Sequence, residues 1–294
     1  MKRVLITGAT GLIGKEAIQP LLDAGFEVYA LTIDKNSDNR VNWVEANIFD
    51  FDEIKKVFEK VKPQYLLHFA WITSGDYLTS DINYKLVDAS LNMLEQFHKN
   101  GGKRAVFAGT CFEYEFKAEP LKESDKTNPK TVYAKCKNEL RKKAQEYCIQ
   151  NGISFGWGRI FYVYGHGENE KRLTANVIKS IKEGRKILIT AGRLIKDYMY
   201  TKDIAGAFVK FLDSGVEGIV NICTGKPVSI KDFVEKITSK IGGSNLVEFI
   251  DDCANQPPVI TGDNSRLINK VGYKIKYDTD AGLNIVIKNA EVLK

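Results

Sequence analysis

Residues 3–14 of the 294-residue chain are RVLITGATGLIG, a short apolar run that leads directly into glycines at positions 8, 11 and 14. An amphipathic stretch that ends near Gly25 follows. In such a strand–turn–helix unit, Gly8 and Gly11 allow a tight turn and a close approach of the backbone to a pyrophosphate. Gly14 lets the helix pack on the strand, and the free N–H groups at the helix N-terminus face the anion. We therefore predict a dinucleotide-binding loop here rather than a plain turn.

Residues 3 to about 160 continue this alternation of short apolar runs and amphipathic stretches. The pattern is typical of repeated βα units on a parallel sheet, and right-handed crossovers place the helices on both faces of that sheet. The predicted fold class is α/β, a doubly wound parallel Rossmann sheet with a smaller C-terminal α/β substrate lobe. The predicted strands lie at RVLIT, EVYALTI, VNWVEA, QYLLHFA, KRAVFAG and ISFGWGRI, and the predicted helices at 11–24, 52–60, 81–99 and 131–150.

The regular rhythm ends near residue 165, where shorter pieces separated by glycines and prolines begin. We predict a dinucleotide-binding Rossmann domain over residues 1–165, rejoined by about 198–222, and a substrate-binding lobe formed by 166–197 and 223–294. The charged, proline-bearing segment 112–130 is predicted to be a loop that runs over the surface near the site.

The composition is that of a globular protein, with 44% hydrophobic and 27% charged residues. The net charge of +6, from 43 basic and 37 acidic residues, is spread along the sequence, without the basic runs and interleaved aromatics that bind nucleic acid. This mild positive balance suits an anionic small molecule. The five cysteines are scattered and have no CxxC motif, so neither disulfides nor a metal site is expected. No membrane span or targeting segment is visible, and the expected location is cytoplasmic.

Tyr133 and Lys137 stand four residues apart in a stretch that is also predicted to be helical, so one helical face carries a phenol beside an ammonium. A cation close to a phenol lowers the pKa of the phenol and makes the hydroxyl a better proton relay at neutral pH. Spacing alone does not select this pair, because the chain has 13 tyrosines and Tyr198 with Lys202 repeats the spacing. The sequence around each pair must therefore show which of the two pairs is functional.

The adenosine ribose of a dinucleotide is usually held by an acidic residue at the end of the second strand. The expected position is Thr32, which carries no charge and does not repel a 2′-phosphate. Lys35 or Arg40 can approach such a phosphate, so we favour NADP(H) as the cofactor. Asp34 leaves NAD(H) open, because a strand that ends two residues later restores the acidic contact.

Further motifs follow in order along the chain: HFAW at 68–71, GTCFEY at 109–114, GRIFYVYG at 158–165, KDYMYTKD at 196–203 and NICTGKPVSI at 221–230. Together with the first loop and the Tyr133–Lys137 pair, they resemble the motifs of the extended short-chain dehydrogenase/reductase family, especially of its members that act on nucleotide sugars. The resemblance covers nearly the whole chain. It favours Tyr133 over Tyr198, because Tyr133 follows Thr110 and opens a long helix, whereas an aromatic at 198 mainly packs.

The resemblance implies roles for individual residues. Thr110, Tyr133 and Lys137 are expected to be catalytic: Tyr133 exchanges a proton with the sugar oxygen, Thr110 hydrogen-bonds that oxygen, and Lys137 also holds the nicotinamide ribose. A helical Asn is typical at the position of Asn83. Lys196 stands where relatives carry a phosphate-binding Arg. The expected cofactor-binding residues are Gly8, Thr10, Gly11, Leu12, Ile13, Gly14, Thr32, Asn47, Ile48, Phe69, Ala70, Trp71, Ala108, Tyr133, Lys137, Ile160 and Val163. The expected substrate-binding residues are Thr73, Thr110, Cys111, Tyr162, Asn176, Val177, Arg193 and Lys196.

The resemblance also narrows the reaction. Relatives that dehydrate the sugar carry an Asp-Glu pair immediately after the catalytic Thr, where this chain has Cys111 and Phe112. Relatives that epimerise C3 and C5 carry a Cys two residues after that hydroxyl, and here the cysteine comes one residue early. These departures favour an NADPH-dependent reductase of the 4-keto group of a nucleotide-linked 4-keto-6-deoxyhexose, in deoxysugar biosynthesis.

Two alternatives stay open at this stage. One is a nucleotide-sugar 4-epimerase with tightly bound NAD, and the other is a non-catalytic dinucleotide sensor built on the same fold. In relatives, a helix pair like that predicted at 81–99 and 131–150 forms a dimer interface. The resemblance therefore implies a homodimer that binds a nucleotide sugar. The scattered charge and the lack of a long apolar run predict that it binds neither nucleic acid nor membrane.

Overall fold

The computed structural model describes residues 2–33, 38–250, 252–253 and 256–292. Its strands are β1 (Lys2–Thr7), β2 (Phe26–Thr32), β3 (Asn42–Glu45), β4 (Tyr65–His68), β5 (Arg104–Thr110), β6 (Ser154–Ile160), β7 (Tyr162–Tyr164), β8 (Ile187–Ile189), β9 (Ile195–Lys196), β10 (Tyr198–Tyr200), β11 (Gly218–Ile222), β12 (Val228–Ser229), β13 (Val247–Phe249) and β14 (Val259–Ile260). Its α-helices are α1 (Gly14–Asp23), α2 (Phe51–Val61), α3 (Ile82–Lys99), α4 (Val132–Gln150), α5 (Leu173–Lys182), α6 (Thr201–Asp213), α7 (Ile230–Ile241) and α8 (Thr279–Val292).

Seven parallel strands form the central sheet, in the order β3-β2-β1-β4-β5-β6-β11. The strand order reverses between β1 and β4, because β2 and β3 add to one side of β1 and the later strands add to the other. A crevice outside the carboxyl ends of the strands opens at such a switch point, and doubly wound folds bind their ligands there.

Helices cover both faces of this sheet. On one face α1 and α6 pack together in an apolar core that includes Leu21 and Phe208. On the other face α2, α3 and α4 surround a core that includes Phe58, Phe97 and Leu140. Because both faces are covered, β5 is buried along its whole length. The predicted α/β class and doubly wound parallel sheet are confirmed.

The elements predicted for the first 160 residues are all present, with ends displaced by no more than three residues. The largest displacement is at α1, which begins at Gly14 rather than at residue 11. The peptide groups before it form the turn instead, and the N–H of Gly11 donates to the carbonyl of Gly8 over 3.0 Å. In the part of the chain that the structure describes, no helix is long and apolar enough to cross a membrane.

The rest of the chain forms a smaller α/β unit. In it β7 pairs with β10, β8 pairs with β13, and β9 lies between β12 and β14. Its own apolar core includes Tyr198 and Phe233 beside Leu283 of α8. The segment that carries α6 and β11 lies between these pieces in the sequence but belongs to the main sheet, since β11 pairs with β6 and α6 packs against α1.

Segment 112–130 has no α-helix or regular strand, but the prediction that it runs over the surface is wrong for its beginning. A short 3-10 turn, Cys111–Glu113, follows β5 directly and turns the chain inward. Glu113, Tyr114 and Leu121 are buried as a result. A carboxylate can be buried here because Arg159 of β6 lies against it.

Candidate active site

A cavity of about 290 Å³ opens at the switch point, outside the carboxyl ends of β1, β4, β5 and β6. It brings together most of the residues predicted for cofactor, substrate and catalysis. These are Gly8, Gly11, Leu12, Ile13, Gly14, Phe69, Trp71, Thr73, Ala108, Thr110, Cys111, Tyr133, Lys137, Ile160, Tyr162 and Val163. The wall also includes residues not predicted for the site, namely Tyr77, Gly109, Phe112, Phe161 and Arg172. Three of these lie inside the GTCFEY and GRIFYVYG motifs, whereas Tyr77 and Arg172 lie in loops that carry no motif.

The glycines of the first loop are required by close backbone packing. Gly8 has a φ of +66°, and a Cβ added to it would lie 2.8 Å from the amide nitrogen of Ala70. A Cβ added to Gly14 would lie 2.0 Å from the carbonyl oxygen of Gly8. The loop is therefore pressed against the chain that leaves β4, and its outer side forms part of the cavity wall. This narrow, side-chain-free cradle fits the pyrophosphate of a dinucleotide.

His68, at the end of β4, supports this loop from below. The amide of Ala70 donates to Thr7 Oγ1 over 3.2 Å, and Thr7 Oγ1 lies 2.8 Å from His68 Nδ1. On the other side of the ring, Nε2 lies 2.9 Å from Ser90 Oγ, which itself donates to a backbone carbonyl. A neutral ring with its proton on Nε2 satisfies all of these bonds. Burial, and then the charge of Lys137, lowers the pKa of His68 to about 3, so the ring is a neutral support.

Tyr133 lies in the first turn of α4. Thr131 caps this helix, because its side chain accepts a hydrogen bond from Ala134 N over 3.1 Å. The side chain of Tyr133 is only 8% exposed and lies near Thr110, the last residue of β5. Thr110 Oγ1 is held in turn by the amide of Phe112, which donates to it over 3.3 Å. Burial raises the pKa of Tyr133, and the nearby hydroxyl of Thr110 offsets only part of this effect.

Lys137 lies one turn further along α4 and is 3% exposed. Its Nζ donates to the carbonyl of Ala108 over 2.8 Å and lies 3.7 Å from the centroid of the Trp71 ring. Burial lowers the pKa of Lys137 to about 7, while the charge of Glu113 acts to raise it. The prediction that the pKa of Tyr133 is lowered is therefore wrong, because its surroundings in the protein raise this pKa. Burial is the largest influence on the pKa of each of the two groups, because both side chains lie out of water.

The second pair with the same spacing forms no comparable site. Tyr198 stacks on Phe233, with ring centroids 4.1 Å apart. Lys202, four residues later, is exposed to solvent. The aromatic at 198 therefore packs in the smaller lobe, as the motif context predicts.

Behind the cavity, Glu113 connects three elements and was not predicted as part of the site. Its Oε1 accepts hydrogen bonds from the amide of Thr110 over 3.0 Å and from Trp157 Nε1 over 2.9 Å. Its Oε2 accepts from Arg159 Nε over 2.8 Å, with Arg141 Nε at 3.7 Å. These bonds hold the backbone of Thr110 where β5 ends. In the sequence, Glu113 lies in the GTCFEY motif, but it also lies at the start of the charged segment 112–130, which is predicted to be a surface loop.

A second cavity of about 400 Å³ adjoins the first and shares Tyr162, Val163 and Arg172 with it. The N-terminal part of α5, the residues before it and the chain from Leu188 onward form its wall. Asn176, one of the residues expected to bind substrate, is part of this wall, and Lys171 contributes a further positive charge beside Arg172. The other residues of this wall are Glu168, Leu173, Thr174, Ile189, Thr190, Ala191, Tyr198 and Ile230.

Three residues predicted to bind substrate line neither of these two cavities. Val177 is completely buried behind Asn176. Arg193 Nε donates to Cys253 Sγ over 3.4 Å. Lys196 lies in β9, is 2% exposed, and its Nζ donates to the carbonyl of Pro257 over 3.2 Å. The cations that do line the second cavity, Lys171 and Arg172, come from a loop outside the motifs.

The remaining predicted cofactor residues lie near the ends of β1 to β4 without lining either cavity. They are Thr10, Thr32, Asn47, Ile48 and Ala70.

The region of the predicted ribose contact is only partly described. Thr32 ends β2 and is 6% exposed. Arg40 binds Asp38 with two hydrogen bonds, of 2.9 Å through Nε and 2.6 Å through Nη2, so its charge is already compensated. Asp34 and Lys35 lie outside the described residues.

Comparisons with known proteins agree with this geometry. The sequence model of the NAD dependent epimerase/dehydratase family matches residues 4–223. The chain is 26% identical over 243 residues to the dTDP-6-deoxy-L-talose 4-dehydrogenase (NAD(+)) of Aggregatibacter actinomycetemcomitans, covering 81% of this chain and 90% of that protein. It is 24% identical over 306 residues to the CDP-abequose synthase of Salmonella typhimurium, covering 97% of each.

Among solved structures, the UDP-glucose 4-epimerase of Thermus thermophilus in complex with NAD has the same fold. It matches with a TM-score of 0.88 and 22% identity over 98% of this chain and 99% of that one. Because the family match extends over most of the chain, the chain belongs to the NAD dependent epimerase/dehydratase family and is an enzyme of the extended short-chain dehydrogenase/reductase type.

Proposed function

We propose that this enzyme reduces the 4-keto group of a nucleotide-linked 4-keto-6-deoxyhexose to a hydroxyl, with NADPH as the reductant. The observation that carries the proposal is the chemistry of the first cavity. No carboxylate and no imidazole is among the described side chains that line it, and Tyr133 is the hydroxyl acid beside Lys137. Such a wall suits a reaction that moves one proton at one oxygen, rather than a dehydration that needs a separate acid and base.

Each residue of the cavity has a separate role in such a reduction. When bound, the nicotinamide dinucleotide supplies the hydride. Tyr133 donates its proton to the sugar oxygen as negative charge develops there, and Thr110 holds the same oxygen by a hydrogen bond. Since burial raises the pKa of Tyr133, the phenol is protonated near neutral pH, which is the form that a reduction requires. Lys137 provides a positive charge beside the developing alkoxide.

The part of the cavity wall that is formed by the residues just after Thr110 is apolar. Cys111 and Phe112 occupy it, and Phe112 makes an edge contact with Tyr162, ring centroids 6.2 Å apart. Burial raises the pKa of Cys111, so this thiol is neutral and is a poor base for removing a proton from a sugar carbon. A small apolar wall of this kind suits the methyl group of a 6-deoxy sugar.

The second cavity is the proposed place of the nucleotide part of the substrate. Lys171 and Arg172 line it, and Arg172 also lines the cavity that holds Tyr133. A diphosphate that joins a nucleotide to a sugar would lie near this junction, where a guanidinium can bind phosphate oxygens with two parallel hydrogen bonds.

The choice of NADPH over NADH is part of the proposal and depends mainly on Thr32. This residue ends β2 without a charge, so it does not repel a 2′-phosphate. Arg40 adds less support than its sequence position suggests, because Asp38 binds it. NAD(H) therefore stays a possible cofactor of the same reaction.

The test is direct incubation of the purified enzyme with CDP-, dTDP- and GDP-4-keto-6-deoxyhexoses, each with NADPH and with NADH. We expect the absorbance of the reduced nicotinamide to fall with one of the nucleotide sugars, faster with NADPH, and the Tyr133→Phe variant to react about 10²–10⁴-fold more slowly under the same conditions. No oxidation with any combination would overturn the proposal.

A nucleotide-sugar 4-epimerase is the second candidate, because it also needs a single proton relay at one oxygen and fits the same carboxylate-free wall. It would copurify with tightly bound NAD and interconvert two C4 epimers without added reductant. That result would replace the reductase proposal. A non-catalytic sensor has no support from a cavity that keeps Thr110, Tyr133 and Lys137 together.

A further inference from the structure

Trp71 lies three residues after the end of β4 and lines the cavity together with Tyr133 and Lys137. The centroid of its ring is 3.7 Å from Lys137 Nζ, so the ammonium rests on the face of the indole. The same ring meets Tyr133 edge to face, with centroids 6.3 Å apart. One indole therefore contacts both members of the Tyr–Lys pair.

The edge of the indole is fixed by Asn83 in the first turn of α3. Trp71 Nε1 donates to Asn83 Oδ1 over 2.8 Å. Asn83 is completely buried, and its Nδ2 donates to the carbonyls of Tyr77 and Ser80, both over 2.7 Å. These two acceptors determine the orientation of the amide, so its oxygen must face the indole. Among the contacts described, Asn83 reaches Lys137 only through Trp71.

We propose that Trp71, anchored by Asn83, is a positioning residue that holds the ammonium of Lys137 in its protonated form and directs it into the cavity. A buried ammonium loses its hydration, and the negative face of an indole replaces part of that loss. Of the three N–H bonds of the ammonium, one is used by the carbonyl of Ala108. With the indole on another side, the free donor capacity of the ammonium is turned toward the cavity. The inference rests on the proposed catalytic role of Lys137 in the reduction.

Other titratable groups around Lys137 do not replace this contact. His68 of β4 is neutral, because burial lowers its pKa to about 3. Glu113 acts on Lys137 through its charge, but its oxygens accept hydrogen bonds from Thr110 N and from the side chains of Trp157 and Arg159. Tyr133, on the same helix, is protonated near neutral pH because burial raises its pKa.

The experiment is an NMR titration of Lys137 in the full enzyme with an isotope label at the lysine Cε. The signal is assigned by its disappearance in Lys137→Met. Trp71→Met fills the space without an aromatic face, and we expect the titration midpoint of Lys137 to fall by about one pH unit. Trp71→Phe keeps a weaker aromatic face but loses the bond to Asn83, so a smaller shift in the same direction is expected. Trp43→Met, a change at a tryptophan of β3, is the control and should leave the midpoint unchanged.

An unchanged or raised midpoint in the folded Trp71→Met protein would overturn the proposal. If that variant does not fold, the phenylalanine variant decides in the same way. The titration needs no sugar substrate, so it gives an answer even if the reductase proposal fails. If the reduction is observed, the alkaline limb of kcat/KM against pH should move to lower pH in both variants. A variant that only loosens the fold would lower Tm without moving that limb.

Discussion

Burial disfavours the charged form of both Tyr133 and Lys137, so it shifts their pKa values in opposite directions. It raises the pKa of Tyr133 and lowers the pKa of Lys137 to about 7. Near neutral pH the phenol is therefore protonated and the ammonium is close to its titration midpoint. The spacing of the two residues predicts that they are neighbours, but not this balance. Desolvation depends on side chains from other elements, such as Trp71 after β4, that close over the pair.

Removal of the Tyr133 hydroxyl should reduce turnover strongly. Because proton transfer by a positioned side chain contributes about 10²–10⁴-fold to a rate, we expect Tyr133→Phe to lower kcat by about that factor with the matched nucleotide sugar. Dinucleotide affinity, measured by the fluorescence of the bound reduced nicotinamide, should change little. Tyr147→Phe, on the same helix and hydrogen-bonded to His98, is the matched control. A Tyr133→Phe enzyme that keeps most of its kcat would contradict the assignment.

Lys137 should make the stability of the fold depend on pH. An unfolded lysine has a pKa of about 10.4, so between pH 7 and 10 the unfolded chain binds more protons than the folded chain. The penalty for the buried ammonium is complete below about pH 7 and disappears as the pH rises toward 10. In protein freed of nucleotide, Lys137→Met should therefore raise Tm more at about pH 6 than at about pH 10, as scanning calorimetry can measure. An equal change at both values would contradict the buried, depressed lysine.

At the scale of elements, the turn that follows β5 connects this strand to β6 and α4. Glu113 lies in this turn and bonds to Thr110 of β5 and to Trp157 and Arg159 of β6, while Arg141 approaches from α4. The charged sequence of 112–130 predicts a surface loop, since the partners of Glu113 are distant along the chain. Only the pairing of β5 with β6 brings them together.

Removal of the charge of Glu113 should destabilise the protein much more than removal of a surface carboxylate. Glu113 and Arg159 are 0% and 1% exposed, and Glu113→Gln leaves a buried guanidinium without its anion. We expect the free energy of unfolding in urea to fall by about 3–5 kcal/mol. Glu139→Gln removes an exposed partner of Lys143 on α4 and should cost less than about 1 kcal/mol. A similar small change for both variants would show that the buried pair does not stabilise the turn.

At the scale of the whole molecule, the site is built where the sheet and the smaller lobe meet. The sheet side provides the glycine loop, Thr110 and the Tyr133–Lys137 pair, and the lobe provides Asn176 at the N-terminal part of α5. Arg172 belongs to both cavities and connects them. The two cavities therefore form only where residues of the sheet and of the lobe come together, which no single element determines.

A homodimer is a prediction that also belongs to this scale. Helices α3 and α4 pack side by side, and Tyr84 on α3 is 50% exposed. We expect light scattering to give twice the 33.0 kDa mass of one chain. Tyr84→Glu should shift the protein toward monomer, because it places a charge on the proposed apolar contact. Ile268→Glu, outside both helices, is the control, and a wild-type monomer would remove the dimer prediction.

The sequence by itself determines the architecture and the centre of the site. Local apolar periodicity and glycine positions encode β1 to β6 and their helices, because these patterns depend on residues close together in the chain. For the same reason Gly8, Gly11, Gly14, Tyr133 and Lys137 are predictable, since each lies in a short motif on one element.

Tertiary structure decides what depends on contacts between distant residues. The burial that raises the pKa of Tyr133, the indole of Trp71 over Lys137, and the inward turn of Glu113 all need partners from other elements. Lys196 occupies the predicted phosphate position in the sequence, yet its strand directs it into the interior, and Arg172 lines the cavities instead. A motif determines which residue types are present. Which of their side chains are shielded from solvent, and where these side chains point, is decided only when the chain packs.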